Sequence, residues 1–162
     1  MTEEISEPRL YRQALGAFAT GVAIVTAGSA ENGYAAITIN SLTSVSLSPR
    51  LMLWCLADSS DRYKNFAEAD HFGISVLAPP QADLAARFAV QGAKLIDPHE
   101  VEWLEHAPVL PDGVARFACR TYDRRSMGDH LVITGEVLAY EKRGEGEALT
   151  YFRGKFGKLA AG

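Results

Sequence analysis

Short β-type apolar runs recur along this chain, each closed by a glycine, a proline or a polar cluster, and this pattern restricts the fold to one built mainly from strands. Such runs cover residues 22–26, 34–40, 51–56, 72–77, 114–123 and 130–143. Helical spacing is brief where it occurs. It appears over 8–20, where Leu10, Ala14, Leu15, Ala17 and Phe18 recur until Gly16 weakens and Gly21 ends the pattern. It returns after Asp58, where Ser59, Ser60 and Asp61 are candidate N-caps for a helix striped by Tyr63, Phe66 and Ala67. A third helical segment spans 81–90 through Leu84, Ala85 and Phe88. Residues 91–113 show no strong period and read as a long irregular excursion, 124–129 as a loop, and 148–159 as an aromatic-bearing tail. Many strands joined by turns, with few long helices, predict a mostly antiparallel barrel decorated by short helices.

One stretch breaks the apolar rhythm. Residues 38–48 crowd hydroxyl and amide side chains between apolar ones, ahead of Pro49 and the strongly apolar run 51–56. Uncharged donors and acceptors in that density suit an uncharged hydrogen-bonding ring or phosphate oxygens; a hydrated strand edge is the plainer alternative.

Composition removes several function classes. A chain of 162 residues can bury a core within one domain, and 48% hydrophobic content marks it as folded. Sixteen basic against twenty acidic residues leave a net charge of -4, with no clustered lysine or arginine for nucleic acid or an anionic membrane. No apolar run is long enough to span a bilayer and the acidic start is unlike a signal peptide, so a cytoplasmic protein is expected. Cys55 and Cys119 read as reduced core residues, and the four scattered histidines form no metal motif. There is no dinucleotide-binding glycine fingerprint, P-loop or nucleophile elbow, which disfavours Rossmann, NTPase and hydrolase readings.

Four segments, taken in order, carry a specific likeness. Residues 14–22 (ALGAFATGV), 38–46 (TINSLTSVS), 55–60 (CLADSS) and 128–130 (GDH) resemble the successive motifs of the flavin reductase-like family. The likeness runs from about residue 9 to residue 158, so residues 1–8 are expected to be a tail and 9–162 the domain. Family membership implies a split β-barrel of the FMN-binding, Greek-key type, and a homodimer. It also implies reduction of FMN or FAD by NADH or NADPH, with reduced flavin leaving for a separate oxygenase component.

The resemblance also distributes roles. Thr38, Ile39, Asn40, Ser41 and Ser44 become candidate contacts of the isoalloxazine edge. Read as one strand, 38–44 would place Thr38 and Asn40 on one face and Ile39 and Ser41 on the other, so part of the recognition must be main-chain. Ala57, Ser59, Ser60 and Arg62 form the candidate phosphate loop, with Lys64 a second cation and Asp58 and Asp61 opposing it. The plainer role for Ser59 or Ser60 is a helix cap. His130 is expected to position the hydride donor, although a strand-end histidine paired to Asp129 is the structural alternative. Arg124 and Arg125 could reach a pyrophosphate, and Tyr151 and Phe156 could border the ring from the tail. Departures exist: Leu42 stands where an aromatic is frequent, and 93–102 lack the usual Phe-Xaa-Gly before Trp103. A flavin carrier or electron-transfer module without nicotinamide turnover is the alternative function, and a pyridoxamine-phosphate-type oxidase fits the motifs poorly.

Overall fold

The computed structural model describes residues 6–93 and 96–159. Residues 1–5 of the expected tail, 94 and 95 of the expected excursion, and 160–162 of the expected domain lie outside the described residues.

Strands dominate in the order the apolar runs predict. After helix α1 (Glu7–Leu15) come β1 (Thr20–Gly21), β2 (Ala23–Ser29), β3 (Gly33–Ile39), β4 (Thr43–Leu47) and β5 (Arg50–Ala57). Helix α2 (Tyr63–Ala67), β6 (His71–Val76) and helix α3 (Ala82–Ala89) follow, then β7 (Glu102–Leu104) and β8 (Ala107–Val109). The chain closes with β9 (Ala115–Met127), β10 (His130–Lys142), β11 (Leu149–Phe152) and β12 (Lys155–Lys158).

Seven strands form one antiparallel sheet in the order β3-β2-β6-β9-β10-β5-β4, and β1, β11 and β12 form a second. The sheet is curved but not closed, which is the expected split barrel with Greek-key connections. Burial follows the two-residue period. On β5, Met52, Trp54 and Leu56 point into the barrel core while Leu51, Leu53 and Cys55 stay half-buried. Trp54 packs edge-on against Phe66 and Phe72, with ring centroids 5.4 and 6.0 Å away. Strand β2 is buried on both faces. Ala23, Val25 and Ala27 enter this core, while Val22, just before the strand, and Ile24 join a second one with Tyr34, Leu77, Phe88 and Leu149 beneath α3 and the β11–β12 hairpin. That double burial explains why 22–27 is buried throughout rather than alternating, with Thr26 its one polar side chain.

Four expectations change. The first helix is shorter than 8–20, because Gly16 already caps it and Thr20 pairs with Tyr151. The 91–113 excursion contains a small hairpin, β7–β8, docked on the main sheet: Pro108 O accepts the Thr26 hydroxyl, and Leu110 N–H donates to Ser75 Oγ at 3.0 Å. The supposed loop 124–129 is mostly strand; β9 runs to Met127, and only Gly128 and Asp129 turn, with Gly128 at a φ of 62°. Finally, 38–44 is not one strand. Strand β3 stops at Ile39, 40–42 leave the ladder, and β4 starts at Thr43. The alternating-face argument therefore does not apply beyond Ile39.

The hairpin's approach leaves no room at Gly73 on β6, where an added Cβ would lie 1.8 Å from Pro108 O and 2.8 Å from Val109 Cγ1. Backbone atoms cannot step aside as a flexible side chain can. Gly73→Ala is expected to destabilise the protein by about 3 kcal/mol in urea unfolding, whereas a change under 1 kcal/mol would show that the β7–β8 hairpin lifts away at little cost.

Candidate functional site

Strands β3 and β4 occupy opposite edges of the seven-stranded sheet, yet residues 40–42 alone join them. Asn40, Ser41 and Leu42 have no ladder partner and make no backbone hydrogen bond to other described residues. Their main-chain groups are thus available to a ligand. Asn40 is exposed and lines three adjoining cavities of about 700, 610 and 390 Å³.

The largest cavity lies between α1, which supplies Arg9 and Arg12, and the β11–β12 turn, which supplies Tyr151, Arg153 and Gly154. Arg153 N–H donates to Gly16 O at 2.9 Å, fastening that turn to the end of the helix. Tyr151 and Phe156 tilt against each other with centroids 5.4 Å apart, and both also line the smallest of the three cavities.

The other polar residues of 38–44 have protein partners or lie elsewhere. Thr38 Oγ1 donates to Ala85 O at 2.7 Å, bracing β3 against α3. Ile39 is a core residue at 7% exposure, although it borders the smallest cavity. Ser41 Oγ accepts the Cys55 N–H at 3.0 Å and lines the second cavity. Ser44 sits on the exposed edge strand opposite Met52 and borders none of the three.

Strand β5 leads from this connection to the second group of candidates. Cys55, tied to Ser41, is two residues, or about 7 Å along a strand, from Ala57, which pairs with His130. Asp58 N–H donates to Asp129 O at 3.0 Å, so the 57–60 loop and the 128–130 turn abut. His130 Nδ1 lies 2.7 Å from Asp129 Oδ1, and its side chain is 44% exposed. A carboxylate on Nδ1 holds the proton there and leaves Nε2 for a ligand. The contact is the one expected of a strand-end histidine, and it also orients a ring that could act on substrate.

The phosphate-loop residues are bound into a clasp. Helix α2 is only five residues long and its N-cap position is Arg62, without a side-chain cap, so neither Ser59, Ser60 nor Asp61 caps it. Ser60 Oγ instead accepts the Arg62 N–H at 3.2 Å. Gln91 bridges the loop, accepting from Asp61 N–H at 2.9 Å and donating to Ser59 O at 3.1 Å. Asp61 Oδ2 accepts the Gly92 N–H at 2.6 Å, which turns that carboxylate toward 90–92. Arg62 is 5% exposed and gives Nη2 to Val90 O at 2.8 Å; its Nε lies 3.2 Å from Asp61 Oδ1 without hydrogen-bond alignment, and Nη1 has no partner. Arg124 and Arg125 likewise have acceptors, Ala69 O and Asp123.

The sequence profile described as Flavin reductase like domain matches residues 15–160. The chain belongs to the flavin reductase-like family. As a member of that family it is 44% identical over 155 residues to FMN reductase (NADH) SmoA of Agrobacterium fabrum, a match covering 94% of this chain and 86% of that relative. It is 36% identical over 157 residues to the reductase component of flavin-dependent trigonelline monooxygenase of Acinetobacter baylyi, covering 95% of this chain but only 50% of that longer relative. Among solved structures, the Streptomyces globisporus NADH:FAD oxidoreductase in complex with NAD and FAD fragments superposes with a TM-score of 0.84 at 30% identity, covering 98% of each chain.

Sequence reasoning missed the arginines of the cleft. Nothing in the spacing of Arg9, Arg12 and Arg153 shows that the tail folds back against α1.

The Asp129–His130 pair gives a titration signature. The His130 hydrogen bond, then Asp129's own backbone N–H, hold the Asp129 carboxyl below the ordinary aspartate value of 3.8. A depressed folded value means the contact favours the fold above the unfolded pKa and is lost as pH falls through the folded one. In an NMR titration the Asp129 carboxyl carbon is expected to have its midpoint below 3.8, and His130→Gln is expected to move it upward; an unmoved midpoint would assign the shift to another cause.

Proposed function

We propose that this chain uses NADH or NADPH to reduce FMN or FAD, and that the reduced flavin leaves for a separate oxygenase component. The observation that carries the reading is the open connection at 40–42, lying in a cleft of a fold that superposes on an oxidoreductase solved with NAD and FAD fragments. The named relatives add the chemistry: one is an NADH-dependent FMN reductase, another the reductase component of a monooxygenase.

The residues present fit a flavin. Asn40 offers an amide donor and acceptor to ring carbonyls and nitrogens, and the backbone of 40–42 adds unpaired groups without charge. When bound, flavin supplies a ring that accepts a hydride at N5 from C4 of the reduced nicotinamide. Neutral donors favour the negative charge that arrives with the hydride, and Asn40 is the side chain placed to provide one. Tyr151 offers an apolar flank for a ring. Ser41 and Thr38 hold the connection through Cys55 N–H and Ala85 O, so they act on the ligand by fixing the backbone. Ile39 is a core residue that borders the smallest cavity, and Ser44 lies on the edge strand outside all three.

His130 is assigned to positioning the nicotinamide. The Asp129 contact sets the ring, and transfer between C4 and N5 depends chiefly on distance and stacking, which a hydrogen bond accepted by Nε2 from the nicotinamide carboxamide can adjust. Ala57, Ser59 and Ser60 border this corner and are assigned to flavin phosphate or ribityl contacts, with Arg62 stiffening the loop from inside. We also assign a homodimer, supported by Val45 and Leu47, which remain 50% and 91% exposed on the edge strand β4. Nicotinamide nucleotides are pools of the cell interior, and free Cys55 and Cys119 suit that reducing compartment; the cytoplasm is the assignment.

Mixing the protein with FMN or FAD and NADH or NADPH is expected to give flavin-dependent loss of nicotinamide absorbance. Flavin binding without turnover would favour the carrier reading. His130→Ala is expected to raise KM for the nicotinamide or lower kcat about tenfold or more, with little change in flavin Kd; the reverse ranking would move His130 to the flavin. Sedimentation equilibrium is expected to return twice the 17.6 kDa chain mass, and a monomer would remove the dimer.

A further inference from the structure

Arginines are distributed unevenly in their bonding. Eight of the eleven rest their guanidinium on a protein acceptor, a carboxylate for five and a main-chain carbonyl for three. Arg9, Arg12 and Arg153 have no side-chain acceptor among the described residues, and these three line the same cavity of about 700 Å³ with Asn40 and Tyr151.

Their placement is structural rather than incidental. Arg9 and Arg12 are three residues apart on α1 and so share a face. Helix α1 has no buried residue and contributes nothing to either core; what it brings to the fold is a cationic wall for the cavity. Arg153 faces that wall from a turn where its own φ is 48°, a left-handed conformation that a β-carbon makes costly. The Arg153 N–H to Gly16 O bond and the stacking of its guanidinium 5.0 Å from the Phe152 ring hold it there. The Asp129 carboxylate lies within Coulombic reach of Arg12 but is bonded to His130. Three cations around one opening repel one another until an anion joins them, and planar guanidinium groups match phosphate oxygens best.

We propose that Arg9, Arg12 and Arg153 bind a phosphate or pyrophosphate group of a nucleotide substrate. This rests on the reductase reading for which nucleotide that is: the reactants bearing such groups are the flavin nucleotide and the nicotinamide dinucleotide. The site is separate from the 57–62 loop, whose one buried cation, Arg62, already bonds Val90 O.

The test uses Arg9→Gln, Arg12→Gln and Arg153→Gln, singly and together, with Arg50→Gln as a control at the start of β5, outside the lining of the three cavities. Since α1 buries nothing, thermal melting of the Arg9 and Arg12 variants should match wild type, and the Arg153 variant keeps the main-chain bond to Gly16 O. Inorganic pyrophosphate is expected to bind wild-type protein in calorimetry and to bind each cleft variant about tenfold more weakly, the triple variant more so. Two comparisons then identify the nucleotide. If it is the flavin, Kd for FMN or FAD rises about tenfold while riboflavin is unaffected. If it is the donor, KM for NADH rises while the phosphate-free donor, dihydronicotinamide riboside, reacts as before. Failure of wild type to bind pyrophosphate, or equal effects on phosphate-bearing and phosphate-free ligands, overturns the proposal. Absence of NADH oxidation with intact pyrophosphate and FMN binding would overturn only the reductase reading.

Discussion

A three-residue connection governs this molecule. Strands β3 and β4 are the two edges of a seven-stranded sheet, six strand spacings or about 29 Å apart were the sheet flat. The four backbone steps from Ile39 to Thr43 reach no more than about 14 Å. The sheet must therefore curl until its edges nearly meet, which produces the barrel interior filled by Trp54, Phe66 and Phe72. The edges do not pair, so Asn40, Ser41 and Leu42 spend no backbone group on another described residue and stand at the mouth of the cleft. Fold and site share one cause.

Around that opening, polarity is divided between scaffold and ligand. Two hydroxyls of 38–48 that border the cavities serve the protein: Thr38 anchors to α3 and Ser41 to β5. The 59–62 loop is clasped to 90–92 through Gln91, Asp61 and Arg62, so its rigidity comes from charges that sequence inspection would assign to a phosphate. Net acidity hides a local cationic wall. The chain carries -4 overall, yet the arginines without a side-chain acceptor among the described residues gather on one cavity.

Legibility tracked the range of the forces involved. Runs such as 51–56 and 72–77 were readable because a strand's two-residue period and its closing turn are written locally. The β7–β8 hairpin was not, since its three-residue strands carry almost no period and exist through docking on Thr26, Gly73 and Ser75. The extension of β9 through Arg124 to Met127 also escaped notice, because exposed charged residues join a strand only when a partner such as β10 is present. His130 and Asn40 became candidates through ordered motifs, whereas the shared cavity of Arg9, Arg12 and Arg153 required knowing that the last hairpin folds back against the first helix.

By itself the sequence determined the strand-rich class, the family and most of the strands that make up the sheet, because apolar periodicity, turn residues and ordered motifs are properties of neighbouring positions. Only the tertiary structure decided which polar groups are free. Whether a serine braces a strand, an arginine fills a clasp or a backbone amide stays unpaired depends on partners brought close from distant positions, as Gly16 is to Arg153 and Ser41 to Cys55. Short-range patterning therefore specifies the barrel, and long-range closure of that barrel specifies the chemistry at its opening.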